Sequence, residues 1–132
     1  MPESSNASYE DLRVWHAAVE LARKTYELTR KFPKDQLYGL TSQIQRSVVS
    51  VGSNIAEGCA RNTHSEFIHF LGIASGSLAE FVTQITIANK IGFVGEQTTR
   101  SLLAEAKSTG KMLNALKRSI RDMKSAPVTS NQ

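Results

Sequence analysis

The 132-residue sequence has one cysteine, three prolines and few aromatic residues, which make up 7% of the chain. A single cysteine excludes an internal disulfide, and Cys59 is predicted to be inert. No uninterrupted apolar run approaches the roughly 18–20 residues that span a bilayer, and the start MPESSNASYEDL is too polar for a signal peptide. We therefore expect one cytoplasmic domain over residues 1–132, without a membrane partner. Its ordered core should run from about residue 8 to about 124, between flexible N- and C-terminal tails.

The sequence also lacks the patterns of common catalytic and metal sites. Glu66 and His69 form one E-x-x-H motif, whereas di-iron bundles need two of them and a glutamate from each of two other helices. The three histidines show no H-x-x-x-H spacing, and no G-x-S-x-G motif is present. The stretch GIASGS at 72–77 has no lysine for a phosphate-binding loop. We expect no enzymatic activity, catalytic residue, metal, cofactor or small-molecule substrate.

Mostly apolar residues recur at steps of three or four in four segments, which is the spacing of a helix face. The predicted core stripes are Leu12, Trp15, Val19, Ala22 and Tyr26; Leu37, Leu40, Ile44, Val48, Val51 and Ile55; Phe67, Leu71, Ala74, Leu78, Phe81, Ile85 and Ala88; and Leu102, Ala106, Thr109, Leu113, Leu116, Ile120 and Met123. Because short loops join antiparallel helices, the sequence predicts an all-α, antiparallel up-down four-helix bundle.

Residues that cap helices mark the boundaries. Two pairs have the spacing of a capping box, namely Ser8 with Asp11 and Thr63 with Glu66. Pro33 should end the first helix, and Asp35 is the predicted N-cap of the second. Gly92 suits the left-handed position that closes the third helix, and Gly95 suits the start of the fourth.

The segment SNIAEGCAR at 53–61 combines several polar residues where the helical pattern stops. Asn54 and Glu57 share a helix face, and we predict that they hydrogen-bond backbone groups at the chain reversal, including free donors at the start of the third helix. We interpret the segment as a structural turn rather than an active site. The predicted turn motif consists of Asn54, Glu57, Gly58, Thr63 and Glu66.

The third helix has very few charges, since Glu66, Glu80 and Lys90 are the only ones between His64 and Ile91. Its apolar arc is too wide for a surface helix of a monomeric bundle, which predicts burial by another chain. The predicted oligomer interface comprises Ile68, Ile73, Val82 and Ile91. The alternative is a monomer with an exposed apolar patch.

The fourth helix carries the positive excess of the chain, whose formal net charge is +4. Five basic residues fall within an arc of about 80° on a helix with 3.6 residues per turn, and we call them the basic ridge: Arg100, Lys107, Lys111, Arg118 and Arg121. Such a ridge can bind phosphates without sequence specificity, although no interleaved aromatic residues favour base stacking. The alternative is a solvated face with a basic bias.

Three segments carry a resemblance to a known family. They are YEDLRVWHAAVELARKTYELTRKFP, YGLTSQIQRSVVSVGSNIAEGCAR and SEFIHFLGIASGSLAE, and together they extend the resemblance from about Tyr9 to Met123. The chain resembles the small four-helix-bundle proteins first noticed as reading frames in intervening sequences of bacterial large-subunit ribosomal RNA genes. Gly52 stands where that family usually has proline, and Cys59 where it usually has an aromatic or small residue.

The resemblance implies a homo-oligomer, often a five-membered ring, and a role in binding nucleic acid or a nucleoprotein partner. A related accessory protein of diversity-generating retroelements is a basic pentamer that partners a reverse transcriptase. The family has no established enzymatic activity. We therefore predict a non-enzymatic, oligomeric module that binds RNA, DNA or a nucleoprotein, with a purely protein-binding scaffold as the alternative.

Overall fold

The computed structural model describes residues 8–125, with side chains described as far as Met123. The four helices are α1 (Arg13–Thr29), α2 (Leu40–Cys59), α3 (His64–Lys90) and α4 (Glu96–Ser125). Two 3-10 turns, Tyr9–Asp11 and Lys34–Gln36, precede α1 and α2, and residues 8–125 contain no strand. The predicted flexible tails lie outside the described residues.

Each helix packs on two neighbours, and the contacts close in the order α1, α2, α3, α4 and back to α1. Along the α2–α3 pair, Ser47 hydrogen-bonds Gln84, whereas Gly58 near the end of α2 lies against Phe70 near the start of α3. The two helices are therefore antiparallel. This arrangement, with all four helices contacting in sequence, agrees with the predicted up-down bundle.

The core lies along the centre of the bundle, and the predicted stripe of α3 forms its middle. From Leu71 to Ala88 every predicted core residue of α3 is buried, and Phe81 and Ile85 are completely inaccessible. The stripes of α2 and α4 are confirmed over most of their length, although Leu37 and Met123 at their ends are exposed.

The predicted core stripe of α1 was wrong in part, since Leu12, Trp15 and Ala22 pack against the core but two other residues do not. Val19 and Tyr26 are 45% and 40% exposed. The buried face instead consists of Val14, Ala18, Leu21, Thr25 and Thr29. The two threonines are accommodated because their hydroxyls donate within the helix, Thr25 to the Leu21 carbonyl at 2.7 Å and Thr29 to the Tyr26 carbonyl at 3.3 Å. A pattern of apolar residues cannot reveal buried polar residues whose hydrogen bonds are made within the helix.

The start of α2 also differs from the prediction. Asp35 is not the N-cap, because it lies within the 3-10 turn Lys34–Gln36, and α2 begins five residues later at Leu40. The Leu37 amide donates to the Lys34 carbonyl, so the chain makes a single 3-10 turn here and does not yet begin an α-helix. Ser8 and Asp11 do form a capping box, but it caps the 3-10 turn Tyr9–Asp11 rather than α1.

Gly92 closes α3 as predicted. Its φ of +89° lies in the left-handed region that favours glycine. Its amide donates to the Asn89 carbonyl at 3.1 Å, and the Phe93 amide donates to the Ala88 carbonyl at 2.9 Å, which is a Schellman motif. The Phe93 ring then packs 5.6 Å from the Phe32 ring, so the α1–α2 and α3–α4 connections meet at one end of the bundle.

Candidate protein and nucleic-acid interfaces

The α2–α3 turn is held by close packing at Gly58. A Cβ atom at this buried position would lie 2.8 Å from the Phe70 Cβ and 3.2 Å from the Phe67 carbonyl oxygen, so only glycine fits without a shift. The turn then starts α3 with an N-cap, because the Thr63 hydroxyl accepts a hydrogen bond from the Glu66 amide at 3.1 Å. Gly58, Thr63 and Glu66 thus contribute to the packing and the capping of the α2–α3 turn.

Asn54 does not make the contact that its spacing predicted. Its amide group donates to the Ser50 carbonyl and to the Ser50 hydroxyl, both at 2.9 Å, within α2. Because α2 continues to Cys59, Asn54 lies more than one turn before the reversal. Ser50 in turn exchanges a 2.8 Å hydrogen bond with Ser77, so Asn54 supports a polar contact between α2 and the middle of α3.

Glu57 pairs with Arg61 across the end of α2, and the Arg61 guanidinium lies 4.7 Å from the centre of the Phe70 ring. Both charged side chains are roughly half exposed, so water screens the pair. Cys59, beside them, is partly buried, and desolvation raises the pKa of its thiol. These contacts give the segment 53–61 a packing role.

The predicted interface on α3 divides into two groups. Ile68 and Val82 are partly buried against the core of their own chain. Ile73 and Ile91 are 40% and 54% exposed, and Ile87, which sequence reasoning missed, is 45% exposed. Its helical spacing from Ile73, close to four full turns, could have revealed it.

We call the exposed side of α3 the outward face. His69 and Lys90 are exposed near its two ends, and the other residues are mostly small or apolar and lie around Glu80. They are Gly72, Ile73, Gly76, Ala79, Glu80, Thr83, Ile87 and Ile91. A Cβ atom at Gly72 or Gly76 would meet no atom within 4 Å, so no contact in the described part of the chain explains the two glycines.

Among the described helices, α3 is long and apolar enough to cross a membrane by length and composition, with a mean hydropathy of 1.3 over its most apolar window. A helix that packs in the core of a protein in water can meet the same criterion, so one such helix does not by itself indicate a membrane span. In this structure α3 packs on α2 and on α4.

All five residues of the basic ridge are exposed on α4. Arg100 pairs with Glu96 at 3.3 Å. Within residues 8–123, no carboxylate lies within ion-pairing distance of Lys107, Lys111 or Arg118. The middle of the ridge therefore carries positive charge that its own described surroundings do not neutralise.

Two basic residues of α1, Arg23 and Lys24, have the opposite environment. Arg23 binds Glu20 at 2.6 Å and Glu27 at 2.7 Å, and Lys24 binds Glu105 of α4 at 2.9 Å. The hydrogen bond from Arg23 lowers the pKa of the Glu20 carboxyl, and the hydrogen bond to Glu105 raises the pKa of the Lys24 ammonium. The positive charges of Arg23 and Lys24 are therefore locally offset.

A shallow groove of about 710 Å³ runs between α3 and α4. Leu78 and Val82 of α3 and Leu103 of α4 contribute apolar surface, whereas Lys107 and Lys111 line it from α4. The sequence did not indicate that two ridge lysines border an apolar groove. Two predicted surfaces, the basic ridge and the α3 interface, are therefore contiguous.

Among the described residues, no group of three or more histidine, cysteine, aspartate or glutamate side chains could hold a metal ion. The described surface of α3 and α4 thus combines exposed apolar side chains, the groove between the two helices, and lysines without an ion-pair partner among the described residues. Such surfaces are suited to binding other macromolecules.

Comparison with solved structures identifies a protein of unknown function from the S23 ribosomal protein family of Bacteroides thetaiotaomicron, with a TM-score of 0.74 and 22% sequence identity. The match covers 79% of this chain and 97% of that chain, and it supports the fold. No curated protein matches. A family model described as 23S rRNA-intervening sequence protein matches residues 10–115. The match spans most of the sequence, and the chain therefore belongs to the 23S rRNA-intervening sequence protein family.

Proposed function

We propose that this protein is a non-enzymatic, cytoplasmic homo-oligomer, a five-membered ring, that binds nucleic acid or a nucleoprotein through the basic ridge of α4. The observation that carries the proposal is the unpaired positive charge of Lys107, Lys111 and Arg118 on one side of a single helix. Phosphate groups neutralise such charges and release condensed counterions, which favours binding at low salt.

Oligomerisation strengthens this function. The exposed isoleucines of the outward face support an interface with another copy, because an apolar surface of this kind is stabilised when a partner covers it. In a ring, each copy adds its own ridge, and several weak phosphate contacts combine through multivalency. The family name refers to ribosomal RNA genes, and RNA and DNA are both candidate ligands.

A protein-binding scaffold is the second candidate, and one observation favours it. Lys107 and Lys111 border the apolar α3–α4 groove, an arrangement that also suits a protein helix with an apolar stripe and flanking acids. The two functions predict different responses to salt. The affinity for phosphates falls steeply as the salt concentration rises, whereas a protein helix in the groove loses only its ion pairs with the lysines and keeps its apolar contacts.

The test is fluorescence polarisation with labelled RNA and DNA duplexes of unrelated sequence, titrated over a range of salt. We expect binding at low salt that is similar for all sequences. Replacing Lys111 and Arg118 with glutamine should weaken every complex. The salt slope should also fall by about one unit for each phosphate interaction that the substitutions remove.

The matched control replaces Arg23 and Lys24 with glutamine, which removes the same charge from α1. Because Glu20, Glu27 and Glu105 already offset these two residues, binding should change much less. If both double variants lose the same affinity, binding depends on the net charge of the protein and not on the position of the basic ridge. A wild-type protein that binds no duplex at low salt would favour the scaffold function.

A further inference from the structure

The cleft between α2 and α3 is polar, in contrast to the apolar groove between α3 and α4. It has a volume of about 640 Å³ and begins at the residues that precede α2. Two hydrogen bonds join the helices along it, from Ser47 to Gln84 at 2.7 Å and between Ser50 and Ser77 at 2.8 Å. We call this surface the polar cleft. It offers hydrogen-bonding groups to a ligand rather than apolar side chains.

Two opposite charges border the polar cleft without neutralising each other. Arg46 lies on α2 and Glu80 lies on α3, and both side chains are exposed. Across the described side chains, neither residue forms an ion pair or a hydrogen bond. The cleft therefore repels a simple anion at Glu80 and a simple cation at Arg46. It favours a ligand that presents acceptors to a guanidinium and donors to a carboxylate at the same time.

An aromatic ring also borders the polar cleft. Tyr38 is 94% exposed, whereas Tyr9 and Tyr26 are 36% and 40% exposed. A ring without cover from its own chain presents a flat apolar face to the solvent. Nucleic-acid bases stack on such faces in proteins that bind single strands. The polar cleft thus combines a stacking face with an unpaired cation and an unpaired anion.

Guanine is the base whose edges match these groups. Its N1–H and 2-amino groups are adjacent donors that suit the carboxylate of Glu80, and its O6 and N7 atoms are acceptors that suit the guanidinium of Arg46. Adenine, cytosine and uracil each offer a carboxylate one donor group. In a duplex the N1–H and 2-amino groups of guanine are already paired with cytosine. The matching ligand is therefore an unpaired guanine.

Basic residues beside the polar cleft favour a strand over a free base. Arg30, Lys31 and Lys34 are exposed on the connection that leads from α1 to Tyr38. In the part of the chain that the structure describes, no carboxylate pairs with them. Asp35 is the only acid between residues 30 and 39. The phosphates of a strand bind such charges, and a free base has no phosphate.

We propose that the polar cleft binds an unpaired guanine of a single-stranded nucleic acid, with the base stacked on Tyr38 and contacted by Arg46 and Glu80. This site goes beyond the proposed function of the basic ridge, which binds phosphates without regard to sequence. The cleft selects one base and requires that base to be unpaired. Because the cleft lies on α2 and α3 and the ridge on α4, substitutions can remove either site by itself.

Fluorescence polarisation with a labelled oligouridine strand that carries one central guanosine tests the site. Replacing the guanosine with adenosine should weaken binding about tenfold or more, as expected when a bidentate contact to a base is lost. Inosine lacks the 2-amino group and should lose the contact to Glu80, and 7-deazaguanosine lacks N7 and should lose a contact to Arg46. Annealing the complementary strand should abolish the preference for guanine.

Three variants assign each contact to a side chain. Glu80→Gln should remove most of the difference between the guanosine and inosine strands. Arg46→Lys should do so for guanosine and 7-deazaguanosine, since lysine keeps the charge but loses the planar fork. Tyr38→Ala should weaken binding of the guanosine strand about tenfold, whereas Tyr38→Phe keeps the stacking face and the wild-type affinity. All three positions are exposed, so circular dichroism and the mass by light scattering should stay unchanged.

Two controls separate the polar cleft from the basic ridge. Replacing Lys111 and Arg118 with glutamine should lower the affinity for every strand by the same factor, so that the ratio between the guanosine and adenosine strands is unchanged. Glu96→Gln removes the same charge as Glu80→Gln at an exposed position on α4. It should preserve the wild-type difference between the guanosine and inosine strands.

Three outcomes would overturn the proposal. Equal affinity of the wild type for guanosine and adenosine strands would show that the cleft selects no base. A preference for guanine that survives both Glu80→Gln and Arg46→Lys would belong to another part of the protein. Free guanosine monophosphate that competes as strongly as the strand would exclude a single strand as the ligand. A wild type that prefers guanosine strands but binds no duplex would support this site and contradict only the function proposed for the ridge.

Discussion

Gly58 and Gly76 are both helical residues, but their surroundings differ completely. At Gly58 a Cβ atom would collide with the Phe70 Cβ at 2.8 Å, whereas at Gly76 it would meet nothing within 4 Å. Glycine in a helix interior costs about 1 kcal/mol relative to alanine. At Gly58 the close packing of α2 against α3 requires glycine in spite of this cost. At Gly76 no contact in the described part of the chain requires glycine.

The comparison separates two kinds of constraint on the sequence. The α2–α3 turn is determined by contacts within one chain, namely the close packing at Gly58 and the hydrogen bond that caps α3 at Thr63. The outward face of α3 is determined by something outside the chain if the proposed oligomer is correct. Substitutions at the turn should therefore change the stability of the fold, and substitutions on the outward face should change assembly.

The largest effect on stability is expected from Gly58→Ala. The new methyl group forces Phe70 or the Phe67 backbone to move, and overpacking of this kind destabilises by about 1–3 kcal/mol, although the higher helix propensity of alanine offsets part of it. Urea unfolding followed by circular dichroism measures the change. An unfolding midpoint equal to or above that of the wild type would show that a methyl group fits at Gly58. The contrast between Gly58 and Gly76 would then be invalid.

A smaller loss of about 1 kcal/mol is expected from Asn54→Ala. The substitution removes the amide that donates to the carbonyl and hydroxyl groups of Ser50. Ser50→Ala is the matched control, since it removes the hydroxyl that both Asn54 and Ser77 contact. The same unfolding experiment should show non-additive losses of stability when both substitutions are combined. Additive losses would indicate that the two residues act independently.

The sequence was sufficient to predict the helices and most of the core, because period-3.6 patterns in α2, α3 and α4 directly encode the buried face. It was only partly correct for α1, where Thr25 and Thr29 are buried with their hydroxyls bonded to their own helix. It failed for Asn54, whose partner depends on where α2 ends. The grooves could not be predicted, because they depend on how two distant segments approach each other.

Gly76→Ala should give opposite results for folding and for assembly. In an Ile87→Glu background, which is expected to be monomeric, alanine should stabilise the fold by about 0.5–1 kcal/mol through helix propensity. In the otherwise wild-type chain, the same methyl group should weaken the oligomer, which dilution followed by light scattering measures. Ser108→Ala on α4 is the control for propensity alone. If Gly76→Ala leaves the oligomer unchanged, no other copy packs closely against α3 at this position, and the glycine has no structural explanation.

The smallest effect is expected from Glu57→Ala, although Glu57 lies next to Gly58. Its ion pair with Arg61 is roughly half exposed, and pairs of this kind contribute about 0–1 kcal/mol. Urea unfolding should therefore shift far less than for Gly58→Ala, and the variant should bind nucleic acid as the wild type does. Arg61→Ala tests the partner, with the difference that it also removes the guanidinium above the Phe70 ring. A Glu57→Ala protein that is fully stable but no longer binds duplexes would make this turn a functional site, because packing cannot explain a loss of binding without a loss of stability.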